Sequence, residues 1–151
     1  MMENPWEVVV VSSNVGMRQH VAGMLSRLGI DPICVSSLEQ YRQIPKREDI
    51  GLVFCDSQMK DGNYRDVLSA ASAPSPHCNP NVVMMSELSN REEYQQARDS
   101  GLFDVIPSPC RPTDIEWMVI QTRRKERAQP GLFQAAALAF PLLHKRAKLG
   151  G

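Results

Sequence analysis

The stretch Ile50-Gly51-Leu52-Val53-Phe54-Cys55-Asp56 decides the fold: six uncharged residues run straight into a carboxylate. Such a run predicts a strand that is buried on both faces, as in a parallel sheet, rather than a strand with one face in water. The runs at 6–11 and 82–85 have the same character. Because parallel strands are joined by crossover connections, we expect a helix to follow each run.

Helical spacing and cap-forming residues fill the intervals between these runs. Five strands are predicted, at 6–11, 30–35, 50–55, 82–85 and 103–106. Five helices are predicted between and after them: from Val15 to a stop at Gly29, from Ser37 to about Pro45, at 64–71, at 89–100 with a stop at Gly101, and from Thr113 to about Arg127. A polar loop is predicted at 57–63. Capping boxes are predicted at Ser37 with Gln40, Ser89 with Glu92, and Thr113 with Glu116. The alternation predicts an α/β fold: a doubly wound, five-stranded parallel sheet of the flavodoxin-like kind, with helices on both faces in three layers.

The chain of 151 residues is the size of one domain, and we assign residues 6–127 to it. Residues 128–151 form a basic, amphipathic tail or linker. One face of a tail helix would carry Leu132, Phe133, Ala136, Ala137, Phe140 and Leu143, with a kink at Pro141. This segment packs on the domain, mediates dimers, frays, or is the start of a longer connection; the sequence leaves these alternatives open.

Charge and cysteine content exclude several classes of function. Residues 123–151 hold seven basic side chains against one acidic, so the tail is basic and the body acidic; a solvated helix end accounts for this better than nucleic-acid binding. The sequence contains no CxxC pair, so a zinc site is not expected. Cys34 and Cys55 are predicted to be buried. No apolar run is long enough for a membrane span and no signal peptide opens the chain, so we expect a cytoplasmic protein with no membrane partner.

Polar residues follow the strands at the edge where parallel sheets carry their sites. They are Ser12, Ser13, Asp56, Ser86 and Ser108. Asp56 is either a reactive carboxylate or an ordinary strand-end residue, and Ser86 is either part of a site or a satisfied hydroxyl.

From Trp6 to Arg127 the chain resembles a bacterial response-regulator receiver domain (CheY-like). The matching segments are 8–18, Asp56 with Met59, Asp61 and Gly62, then Met85-Ser86, and Gly101 with Asp104 and Pro109. The resemblance implies phosphoryl transfer from a histidine kinase to Asp56, with Mg²⁺ as the cofactor, and a cis peptide bond before Pro109. It also implies a role in two-component (phosphorelay) signalling, including transcription regulation.

The departures from the receiver pattern are as informative as the matches. Ser12-Ser13 stands where the family has an acidic pair, and Ser108 where it has a lysine. Val105 occupies the aromatic switch position, and Glu87 replaces a small residue. We therefore expect a degenerate, non-enzymatic pseudo-receiver with little or no Mg²⁺ binding and weak or no phosphorylation at Asp56.

Such a module would act by protein–protein contact, with a histidine kinase, an output protein or a second copy as partner. The face that receivers use for output would include Tyr94, Ala97, Arg98, Phe103, Val105, Trp117, Gln121 and Arg124, about half of them simply solvated. The alternative is a small-ligand-binding or enzymatic flavodoxin-like domain, but Ser12-Ser13-Asn14-Val15-Gly16 is not a glycine-rich phosphate loop. A DNA-contacting protein ranks last, because no helix-turn-helix pattern follows residue 127.

Overall fold

A computed structural model describes residues 6–72, 80–87 and 90–127, with side chains as far as Arg124. Its main sheet has five strands: β1 Glu7–Val11, β2 Ile33–Val35, β3 Ile50–Asp56, β4 Asn81–Met85 and β5 Asp104–Ile106. They pair in parallel in the order β2-β1-β3-β4-β5. This order is the doubly wound arrangement that the alternation predicts, and the predicted fold class is confirmed.

Five α-helices of the described residues cover the two faces of the sheet. They are α1 Val15–Arg27, α2 Leu38–Arg42, α3 Tyr64–Ser72, α4 Arg91–Asp99 and α5 Pro112–Arg127. Buried residues of α1 and α5 form one core cluster with the sheet, and those of α2, α3 and α4 form the other. The fold therefore has three layers, helix–sheet–helix.

The central strands contribute side chains to both cores, because successive side chains point to opposite faces of the sheet. In β1, Val8 and Val10 join the α1–α5 core, whereas Val9 and Val11 join the other. All four are at most 1% exposed. Burial of such side chains contributes about 1.5–3 kcal/mol each, so the runs that predicted the sheet also stabilise it.

Several predicted helix ends agree with the structure. The Asn14 side chain accepts the Met17 N–H at 2.9 Å, and Ser37 accepts the Gln40 N–H at 3.1 Å. Gly29 and Gly101 follow α1 and α4 with φ of 80° and 113°, a region that favours glycine and ends helices.

Other boundaries differ from the prediction. Asn90 caps α4 by accepting the Glu93 N–H, in place of Ser89, which lies outside the described residues. Helix α5 begins at Pro112, so Thr113 is inside it, and Asp114 reaches back to the Arg111 N–H. Strand β2 begins three residues later than predicted, and α2 ends at Arg42, before the predicted end near Pro45. The loop at 57–63 contains a small hairpin, in which Gln58–Met59 pairs with Gly62–Asn63.

The prediction that Cys34 is buried is wrong: this side chain is exposed, whereas Cys55 is fully buried. Cys34 lies on β2, which is an edge strand, and hydrophobic spacing does not reveal strand order. The basic tail predicted at 128–151 lies outside the described residues. None of the helices in the described ranges is long and apolar enough to cross a bilayer.

Candidate functional site

The site lies at the carboxyl ends of β1 and β3. The chain leaves β1 towards β2 on one side and returns to β3 on the other, so strand order reverses between these two strands. Ligand and reaction sites of doubly wound sheets form at such a point. Ser12 follows β1 and Asp56 ends β3, which places both residues at the switch.

A direct hydrogen bond joins these two residues. The Ser12 hydroxyl donates to Oδ2 of Asp56 at 2.6 Å and accepts the Asn14 N–H at 3.1 Å. Ser12 is fully buried, and its own backbone N–H donates to the Val35 carbonyl at 3.1 Å. The hydroxyl is therefore fixed between the start of α1 and the carboxylate, and it directs its proton towards Asp56.

Burial raises the pKa of the Asp56 carboxyl above its ordinary value. The Ser12 hydroxyl, the Ser13 backbone N–H and the charge of Arg18 act in the opposite direction, but they do not cancel the loss of hydration. Asp56 is half-buried, so water still reaches part of the group. The carboxylate is thus held with few compensating charges around it.

Arg18 brings a positive charge to the pocket and was not among the predicted site residues. Its guanidinium Nη1 donates to the Ser12 carbonyl at 2.6 Å, although the residue lies one turn into α1. Arg18 is half-buried. Its position four residues after the cap Asn14 is the only sequence signal that points back towards the end of β1.

The side chain of Ser13 lies near the hairpin and not near Asp56. Its hydroxyl accepts the Lys60 N–H at 3.3 Å and donates to the Ser36 carbonyl at 3.4 Å. The next residue in the hairpin, Asp61, accepts the N–H groups of Leu38 and Glu39 at 3.0 Å each, which lowers its pKa. Asp61 therefore caps α2 from a distant part of the chain.

The remaining predicted site residues lie at neighbouring strand ends. The Ser86 N–H donates to the Ile106 carbonyl at 3.0 Å, Glu87 is exposed, and Ser108 is half-buried. Within the described ranges, no hydrogen bond joins the side chains of these three residues to Asp56. The peptide bond between Ser108 and Pro109 is cis.

A cavity of about 320 Å³ adjoins the pocket on the side of α1. It is lined by Asn14, Gly16, Met17, His20 and Pro109. His20 is one of the lining residues and bonds through Nε2 to the Cys110 carbonyl at 2.9 Å. The cavity links the first turn of α1 to the loop between β5 and α5.

The oxygens around Asp56 are a poor match for Mg²⁺, which prefers an octahedron of hard oxygens that includes carboxylates. The Ser12 oxygen is a neutral hydroxyl whose proton already points at Asp56, and the Ser13 hydroxyl is bonded to Ser36 and Lys60 instead. Among the residues that the structure describes, no group of three or more His, Cys, Asp or Glu side chains is placed to hold a metal ion.

The predicted output face is only partly a surface. Ala97 is 2% exposed and belongs to the core, so its inclusion in that face is wrong: it lies on the side of α4 that packs on the sheet. Tyr94, Phe103 and Val105 are half-buried, whereas Trp117 is 55% exposed. The Tyr94 hydroxyl donates to Asp104 Oδ1 at 3.2 Å and accepts from Arg98 at 3.0 Å, which ties α4 to β5.

Comparison with solved structures agrees with this architecture. A response regulator receiver domain protein from Clostridium thermocellum superposes with a TM-score of 0.70 at 19% identity, covering 80% of this chain and 96% of that one. The receiver domain of the Francisella response regulator 1452 gives 0.69 at 19% identity, with 81% and 99% covered. The chemotaxis response regulator CheY4 of Vibrio cholerae gives 0.65 at 14%, with 77% and 97% covered.

The chain has the receiver-domain fold. The resemblance drawn from the segments around Asp56, Ser86 and Gly101 is thereby confirmed at the level of fold, over about four-fifths of the chain. No protein-family model matches the sequence, and no curated protein matches it either. The likeness therefore lies in the architecture and in scattered positions, at identities below 20%.

Proposed function

We propose that the protein is a receiver-like module of two-component signalling that works by protein–protein contact, without Mg²⁺-dependent phosphorylation of Asp56. The observation that carries this proposal is the 2.6 Å hydrogen bond from Ser12 to Asp56. A hydroxyl here is a donor to the carboxylate, whereas an acidic residue would be a ligand for a cation. The pocket is organised around a hydrogen bond instead of a metal ion.

Charge arithmetic supports the loss of phosphoryl transfer. Catalysis of this reaction depends on positioning and on neutralising the charge of the phosphoryl group. A carboxylate about 4 Å from a cation contributes around 4 kcal/mol at an effective dielectric of about 20, before solvation is subtracted. With Ser12 and Ser13 in place of two carboxylates, and Ser108 in place of a lysine, most of that electrostatic stabilisation is missing.

The α4–β5–α5 surface is the part of the molecule through which such a module would act. Trp117 projects from α5 with 55% of its surface exposed, and exposed tryptophans are frequent anchors of protein interfaces. The Tyr94–Asp104–Arg98 network holds α4 against β5 beside it. A fixed, partly aromatic surface fits contact with a protein partner that needs no chemical switch.

The test of the chemistry is NMR titration of the ¹⁵N-labelled full chain with beryllofluoride and Mg²⁺, beryllofluoride being a mimic of the phosphoryl group. Wild-type protein is expected to show no saturable shifts at millimolar Mg²⁺. The double variant Ser12→Asp, Ser13→Asp is expected to gain such shifts, and to lose them when Asp56→Asn is added. A saturable, Asp56-dependent response of the wild type would contradict the proposal.

The contact function is tested separately, by affinity capture from cells that make the protein naturally. A specific partner should be retained by the Asp56→Asn variant and lost by Trp117→Ala. Glu116→Ala, a change on the neighbouring exposed position of α5, is the matched control. A partner that is lost with Asp56→Asn would instead indicate a phosphorylation-dependent regulator.

A further inference from the structure

The start of α1 carries a positive charge where the other four α-helices carry a negative one. Their first turns hold the acidic residues Glu39, Asp66, Glu92, Glu93 and Asp114. The first turn of α1 holds no acidic residue and ends with Arg18. Because the N-terminus of a helix already has a partial positive charge, a guanidinium at this position is unfavourable to the helix itself. The position of Arg18 therefore needs a reason outside α1.

The contacts of Arg18 give that reason, because they direct it to the pocket. Its Nη1 donates to the Ser12 carbonyl at 2.6 Å, and the hydroxyl of the same serine donates to Asp56 at 2.6 Å. Ser12 is fully buried, and its backbone N–H donates to the Val35 carbonyl. One fixed residue thus holds the guanidinium on one of its oxygens and the carboxylate on the other.

The charge of Arg18 is not neutralised by a direct contact. The ion pairs found among the described residues lie between α4 and β5 and at the start of α5, so none of them includes Arg18. Burial raises the pKa of Asp56, and the charge of Arg18 opposes that rise. Burial also raises the pKa of Cys34 on β2, and there again Arg18 acts in the opposite direction. The guanidinium therefore acts on side chains of the two strands that flank β1.

We propose that Arg18 is the resident cation of this pocket: its guanidinium, fixed on the Ser12 carbonyl, supplies the positive charge that balances Asp56 and keeps divalent metal ions away from it. The inference rests on the proposed function and deepens it, because it names the group that takes the place of a metal ion. Mg²⁺ binds where carboxylates are in excess. Here one half-buried carboxylate faces one fixed cation, which leaves a divalent ion little to neutralise.

A charge role and a merely structural role of Arg18 predict different results. Like charges repel, so removal of the guanidinium charge makes the pocket more attractive to a divalent ion. Loss of a structural hydrogen bond would lower stability and leave the metal affinity unchanged. Arg18→Gln removes the charge and retains a side chain that can donate a hydrogen bond, whereas Arg18→Lys retains the charge.

The test is titration of the ¹⁵N-labelled full chain with Mn²⁺, which broadens the NMR signals of nearby amides and so reveals weak binding. The signals to follow are the amides of Ser13 and Ser57, because these residues adjoin Ser12 and Asp56. Arg18→Gln is expected to reach half-maximal broadening at about a tenfold lower Mn²⁺ concentration than the wild type. Arg18→Lys should resemble the wild type, and addition of Asp56→Asn to Arg18→Gln should cancel the gain.

Arg27→Gln is the matched control, since it removes the same charge from the exposed last turn of α1 and should leave the titration unchanged. Equal titrations of Arg18→Gln and the wild type would overturn the inference. An equal gain in Arg27→Gln would also overturn it, because net charge would then be the cause, and so would a gain in Arg18→Lys. A wild type that responds to beryllofluoride and Mg²⁺ would contradict the proposed function, whereas the ratio between these variants would still decide the role of Arg18.

Discussion

Ser12 and Asp56 are joined by a 2.6 Å hydrogen bond although 44 residues separate them in the chain. The bond joins the carboxyl ends of the paired strands β1 and β3, at the point where strand order reverses. It also gives the half-buried carboxylate a hydrogen-bond donor, where an acidic neighbour would instead attract a cation. The stability of the pocket and the chemistry it can support therefore depend on the same pair of side chains.

The pH dependence of stability follows from the Asp56 pKa. Since this pKa is raised in the folded state, the folded protein binds more protons than the unfolded chain between the ordinary and the raised value. The contribution of Asp56 to stability therefore falls as pH rises through that window. Asp56→Asn is expected to remove this slope and to raise the urea midpoint at neutral pH. Asp31→Asn, at an exposed position, is the control and should leave the slope intact.

Removal of the Ser12 hydroxyl should have a larger effect than removal of its neighbour's. Ser12→Ala leaves Asp56 without its side-chain donor and the Asn14 N–H without an acceptor. Asp56 is half-buried and Asn14 is exposed, so water replaces part of what is lost and the cost is about 1 kcal/mol. The Asp56 pKa, followed by NMR, should rise further. Ser13→Ala removes two hydrogen bonds of 3.3 and 3.4 Å and should cost less than half as much. Equal costs would contradict a special role for Ser12.

The architecture was predictable because burial on both faces leaves a plain trace in sequence. The run at 50–56 has no charge until its last residue, and a short run of this kind, rich in β-branched and aromatic residues, is typical of a strand that is covered on both sides. The position of Cys34 was not predictable, because spacing gives no strand order and an edge strand has one face less covered. The caps Ser89 and Asn90 differ by one residue, and either side chain is suited to the role.

The site was predictable in its members but not in its contacts. Strand ends identify Ser12 and Asp56, yet only the side-chain rotamer decides that the hydroxyl donates to the carboxylate. Arg18 was missed because its guanidinium reaches the Ser12 carbonyl from within α1, and an arginine on a helix ordinarily faces solvent. The capping of α2 by Asp61 was missed for a similar reason, since it joins residues 22 positions apart.

The carboxylate of Asp61 should stabilise the start of α2 in a pH-dependent way. Its pKa is lowered by the N–H groups of Leu38 and Glu39, so its contribution is complete above the ordinary pKa and is lost as pH falls through the lowered value. Asp61→Asn should lower the melting temperature at neutral pH and speed amide exchange at Leu38 and Glu39. Asp99→Asn, at the C-terminal end of α4, should not, because a carboxylate there is unfavourable to the helix dipole.

The N-terminal edge of the sheet offers a test of packing that is independent of the site. A Cβ on Gly51 would overlap the indole ring of Trp6. The Arg123 guanidinium lies over the same ring, with its Cζ 4.6 Å from the ring centroid. Gly51→Ala must therefore displace a rigid ring, and we expect a loss of about 1–3 kcal/mol in the free energy of unfolding.

Gly23→Ala is the matched control, because a Cβ there meets nothing within 4 Å on the exposed side of α1. That change should stabilise the protein by about 0.5–1 kcal/mol. If urea denaturation gave the two alanine variants similar stabilities, the close approach of Trp6 to Gly51 would not be a feature of the folded protein.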